Sequence, residues 1–189
     1  MNPATYRSYR DLPPIAGITS FDEAMRPGLS VEDCVARLKR HHWAFRRLHE
    51  IFIKRLTHEP IYELKMGFSL HAHYCAEHAA SWRERVGEMR EPPLGLDAVP
   101  DPALDAFCDE ILAAPDTAAL LVGIYQHALP ALDAALREHM AFTNKLVDKP
   151  LPDPIPLKIE FPTSFFQWLA ARYLRLPLSI QFHVIPLPP

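Results

Sequence analysis

Four residues and then three separate His71, Cys75 and His78, a spacing that stacks imidazole, thiol and imidazole on one face of a helix. The same face reads Ile61, Leu64, Phe68, Trp82, Val86 and Met89, so polar groups able to bind metal or carry protons are aimed at an apolar seam. His42 and His49 sit in the same way on the apolar stripe of the preceding helix. Seven of the ten histidines fall between His41 and His78. Imidazole with carboxylate suits iron, manganese or zinc, and the Cys75 thiolate would bias a site toward softer metals. Chelating separations occur at His71–Cys75, Cys75–His78 and His73–Glu77. His42 and His49 are two turns apart, about 10 Å along a helix, as are His71 and His78, so neither pair suits a single ion. The primary ligand set is therefore His42, His49, His71, Cys75, Glu77 and His78. Glu63, His73, Glu138 and His139 are secondary candidates.

Each of these residues has a plainer reading. A histidine on an apolar stripe is most simply a hydrogen-bonded core residue, because a buried polar group without a partner costs stability. Cys75 then reads as a small buried hydrophobe, and His41 as surface or interhelical filler. The run Arg83–Glu84–Arg85 with Glu88, Arg90 and Glu91 reads as a solvated, salt-bridged face. No Cys-x-x-Cys, His-Glu-x-x-His, glycine-rich phosphate loop or Gly-x-Ser-x-Gly elbow is present.

The elements that must position these groups are helices. Ser30 with Asp33 is a capping pair, and Val31, Val35, Leu38, His42, Phe45, His49, Phe52 and Leu56 follow an amphipathic four-and-three step. Pro60 breaks that helix and can begin the next, which runs from about Ile61 to Glu91 and stops at Pro92 and Pro93. The short link makes the two antiparallel neighbours. A shorter helix is expected over Asp101–Ala113, capped by Asp101 with Pro102 in its first turn. A long one follows from Asp116 to Leu146, with Tyr125 and His139 on its apolar face and a kink at Pro130.

Domain boundaries follow from composition. Residues 1–29 form an extended lead, 30–147 a helical bundle and 148–189 a proline-rich tail, with nine prolines after Lys149. That tail reads as an arm packed on the bundle, as a docking segment for a protein partner or a second copy, or as a membrane-surface segment centred on 164–176. It also reads as sequence never selected to fold, the reading frame having been lost near Pro150. A net charge of -3 argues against nucleic acid. No stretch reads as a transmembrane segment or a secretory signal, and three scattered cysteines suit a reducing, cytoplasmic setting.

The segment YELKMGFSLHAHYCAEHAASWRERVGEMREPPLGLD, Tyr62 to Asp97, resembles bacterial members of the ferritin-like helical-bundle superfamily, with the likeness extending over about residues 30–147. The resemblance implies an all-α, up-and-down bundle, bound iron or another transition metal, and oxidoreductase or oxygen chemistry. It also implies a Glu on each of two helices and Glu-x-x-His on each of two others. Here Glu77 is followed directly by His78, and no Glu-x-x-His occurs. A hemerythrin-like bundle is similar at His73-x-x-x-Glu77 but not in a His-x-x-x-His element, which this chain lacks. The alternative expectation is a non-enzymatic helical interaction protein, or a truncated and inactive bundle, whose histidines hydrogen-bond between helices.

Overall fold

The computed structural model describes residues 20–90 and 95–143, and every regular element among them is helical. The first nineteen residues, the link 91–94 and the whole proline-rich tail lie outside the described residues. Helix α1 is a single turn, Phe21–Ala24, inside what the sequence suggests is an extended lead. The long helices are α2, Val31–Leu56, and α3, Tyr62–Glu88. Then come α4, Pro102–Leu112, and α5, Thr117–Leu121. A π-helical segment, Val122–Ala128, leads into α6, Leu129–Phe142.

The ends of these helices obey local chemistry. Ser30 Oγ accepts the Asp33 amide at 3.0 Å and donates to the Asp33 carboxylate at 2.7 Å, closing the first turn of α2. Asp101 caps α4 by accepting the Ala103 amide at 2.9 Å, and Asp116 caps α5 by accepting the Ala119 amide at 2.8 Å. Helix α3 begins two residues after Pro60, because Glu59 Oε1 takes the Ile61 amide at 3.0 Å and holds the turn open there. It ends early, at Glu88, where Arg90 adopts φ +60° and leaves the helical ladder.

Contacts fix the topology. His42 meets Ala79, Phe45 meets His78, His49 meets Ala72 and Phe52 meets Phe68, so α2 and α3 are antiparallel. Arg40 pairs with Asp101, Arg47 with Asp105 and Asp109, and Arg55 with the carbonyls of Leu112 and Ala114, so α4 runs alongside α2 in its own direction. Tyr125 lies by Phe52 and His71, while His139 lies by His41 and Trp82, which turns the last run antiparallel to α2. Successive long helices therefore reverse direction, and α2 touches all the others.

The core fills with Phe45, Phe52, Phe68, Leu38, Ile51, Leu64, Leu120 and Ile124, all less than 2 % exposed or close to it. Leu38, Val86 and Leu96 form one buried cluster with Trp82 and Met89 against it. The stretch Thr117–Phe142 is long and apolar enough, by length and composition alone, to cross a membrane, and 28 % of its apolar window is buried in the fold.

At Pro130, where the sequence leads one to expect a kink, the helical ladder changes. Pro130 has no N–H, so the ladder cannot continue through it unchanged. The Leu129 amide instead reaches five residues back to the Ile124 carbonyl, and the widened turns end just before the proline.

Phe52 is fully buried between Phe68, His71 and Tyr125. Phe52→Ala should lower unfolding free energy by about 3–5 kcal/mol. Tyr62→Ala, at a side chain 69 % exposed, should change it by less than about 0.5 kcal/mol. Urea denaturation of the two variants checks the contrast, and equal effects would contradict this packing.

Candidate functional site

The polar interior is a row of imidazoles along the seams of α2. Ala72 and Ala79 on α3 carry only methyl groups, which lets side chains from α2 reach their backbone carbonyls. His42 Nδ1 donates to Ala79 O at 2.8 Å, and His49 Nδ1 donates to Ala72 O at 2.9 Å. A carbonyl can only accept, so both rings carry a proton on Nδ1, and the lowered pKa of His42 leaves its Nε2 a lone pair. Both rings border a cleft of about 540 Å³ that also meets Arg46, Arg47, Glu50 and Asp97. Burial holds the His42 pKa below its ordinary value, with Arg46 and Arg83 acting in the same sense. The Ala79 bond and Asp97 oppose them.

Further along the seam, His71 Nδ1 and the Tyr125 hydroxyl meet in a hydrogen bond of 2.5 Å. The π-helical segment carries Tyr125 to this point from the facing helix. Burial alone lowers the His71 pKa to about 4. Burial also raises Cys75 to about 12 and holds Tyr125 well above its usual range, Cys75 adding to the latter. His71, Cys75 and Tyr125 are therefore all uncharged at neutral pH, beside the aromatic ring of Phe52. A thiol held this high is no nucleophile.

The third node joins α2 to α6. His41 Nε2 and His139 Nδ1 lie 3.2 Å apart, both rings 4 % exposed, with the Trp82 indole 5.2 Å from His41. His78 makes a different contact, stacking on Phe45 with ring centroids 4.7 Å apart. Burial lowers its pKa too, against the pull of Glu77.

The remaining sequence candidates lie on the outside. His73 and Glu77 form an exposed pair 3.5 Å apart on the solvent side of α3. Glu138 pairs with Arg37 at 3.1 Å, and Glu63 is exposed in the first turn of α3. The structure thus brings His42 and His49 to one cleft and His71 and Cys75 to Tyr125, but leaves Glu77, Glu63, His73 and Glu138 at the surface. Among the described residues, no three of His, Cys, Asp and Glu converge as a metal ion requires.

Sequence reasoning missed three residues of this interior. His41 is buried, not filler; its signal was the repeat Cys34, Leu38, His41, Phe45, Leu48, Phe52, a second four-and-three stripe beside the first. Tyr125 was legible as apolar surface but not as a partner of His71. Glu59 is 3 % exposed and accepts the Thr117 hydroxyl at 2.8 Å, tying the α2–α3 turn to α5; no spacing rule marks it.

Stability should fall with acid. Histidines with depressed folded pKa values stabilise the fold fully above the unfolded value of 6.5, and lose that contribution as pH falls toward their folded value. For His71 the drop between pH 7 and pH 5 comes to about 2 kcal/mol, and His42 and His78 shift in the same direction. His71→Gln should flatten that dependence. Urea midpoints at the two pH values measure it, and a midpoint unchanged at pH 5 would contradict neutral burial.

Comparison with known protein families, with curated proteins and with solved structures finds no match to this chain.

Proposed function

We propose that this chain is a non-enzymatic helical scaffold, an interaction protein whose interior histidines serve as polar ties between helices. One observation carries the reading: His42, His49, His71, and His41 with His139 each spend a ring nitrogen on a bond to another helix. Ties of this sort fix which helix faces which, since a slipped register would leave each imidazole buried without a partner. Three free, buried thiols suit a reducing, cytoplasmic setting for such a protein. Contact with a second copy or a protein partner through residues 148–189 belongs to the same reading.

A second reading is the metal-dependent oxygen chemistry that the ferritin-like resemblance implies. It is favoured by His42 and His49, whose Nδ1 protons go to backbone carbonyls while their rings border the same cleft as Glu50 and Asp97. A carbonyl on the far nitrogen is how metal-binding histidines are commonly oriented. Iron or another transition metal would take Nε2 of one ring there, not of both, because His42 and His49 stand two turns apart.

Ferrous ion added in air to the full chain, purified without an affinity tag, separates the two. The scaffold predicts oxidation at the rate of buffer alone, unchanged in His42→Ala and His49→Ala. Protein-dependent oxidation that either substitution removes would replace the scaffold with the oxygen-chemistry reading.

A further inference from the structure

The outward side of α3 carries a stripe of its own. Tyr62, Met66, Ser69, His73, Ala76 and Ala80 recur in strict steps of four and three, and all six are exposed. That repeat is the spacing of a coiled-coil seam, yet among the described residues no helix covers this one. Its large apolar residues lie at one end, Tyr62 at 69 % and Met66 at 55 % exposure, and its small ones, Ala76 and Ala80, at the other. Ala76 and Ala80 also border the cleft of about 540 Å³ beside α2. A seam with bulk at one end and a hollow at the other is complementary to itself reversed.

We propose that this face is a two-fold interface, pairing α3 antiparallel with α3 of a second copy. The register follows from the steps, since four-three-four-three-four reads the same backwards. Turned end for end about its middle, the stripe sets Tyr62 against Ala80 of the second copy, Met66 against Ala76 and Ser69 against His73. The two-fold axis makes each contact twice. Each large side chain then meets a methyl group at the edge of the cleft, and each Ser69 hydroxyl meets an imidazole it can hydrogen-bond. Polar residues inside a seam fix its register at a cost in strength. A parallel pair would set Tyr62 on Tyr62 and Ala80 on Ala80, crowding one end and leaving the other hollow. The matched stretch spans about 27 Å of a helix about 10 Å wide, less than a standard interface, so the dimer is weak, with a Kd on the order of 10–100 µM. This surface lies on the bundle rather than in residues 148–189, and it rests on neither functional reading above.

Sedimentation of the full chain from about 1 µM to about 500 µM tests the pairing, and the protein should pass from monomer to dimer over that range. Met66→Lys alone and Ala76→Glu alone should each weaken association at least tenfold, because each leaves an unpaired charge in the seam. The two substitutions in one chain should restore it. Antiparallel pairing sets the new cation against the new anion of the other copy, whereas parallel pairing would set like charges together. Met140→Lys, at an exposed apolar site on α6, should leave association unchanged. A monomer throughout, a dimer indifferent to the single substitutions, loss in Met140→Lys, or no recovery in the double variant overturns the interface. Should the charged variants lose helix content by circular dichroism, cross-linking under mild oxidation decides. Tyr62→Cys combined with Ala80→Cys should give a disulfide-linked dimer, and Tyr62→Cys alone should not. No cross-link in the combined variant, or an equal one in Tyr62→Cys alone, overturns the interface.

Discussion

A buried imidazole must be neutral and must have a partner, and the arrangement of helices in this protein follows from meeting both conditions at once. An uncompensated polar group in an apolar seam costs on the order of 1–3 kcal/mol. The side chains around His41, His71 and His139, each 4 % exposed or less, offer little solvent to make up the loss. The fold answers with bonds that cross from one helix to the next. His42 and His49 bind α2 to the α3 backbone, His71 binds α3 to Tyr125, and His41 binds α2 to α6. Every long helix but α4 enters this network.

Helix α4 is held by charge instead. Arg47 reaches Glu50, Asp105 and Asp109, and Arg55 covers the last carbonyls of α4, where a cation meets the negative end of the helix. Surface pairs of this kind contribute little each. The Arg47 group is more enclosed, its side chain 15 % exposed, and it reads as a specific clasp rather than a solvated fringe. The bundle thus has an interior fastened by neutral hydrogen bonds and a flank fastened by ion pairs. The two respond oppositely to conditions: acid loosens the first, salt the second.

Much of the framework was legible in the chain. Ser30, Asp101 and Asp116 announce their helices because a capping side chain acts on amides two or three residues away, within reach of local reading. The stripes of α2 and α3 were visible because helical periodicity puts distant residues on one face. What was hidden depends on another element. Nothing near His41 says that His139 lies opposite, and nothing near Glu59 says that Thr117 does. The π segment was hidden for a different reason: Pro130 predicts a disturbed ladder but not which way it yields. Glu77 and His73 show the converse limit. Their spacing suits chelation, yet it falls on the side of α3 that faces water. Spacing fixes that two residues share a face, not which face is buried.

The central claim is that the buried His42 imidazole of the α2–α3 seam is uncharged and carries its proton on the nitrogen facing a carbonyl. Long-range nitrogen–proton correlation spectra of the histidine rings at pH 7 test it most directly. The account predicts a neutral Nδ1–H tautomer for His42. An imidazolium signal for this ring, or a dominant Nε2–H tautomer, would contradict it.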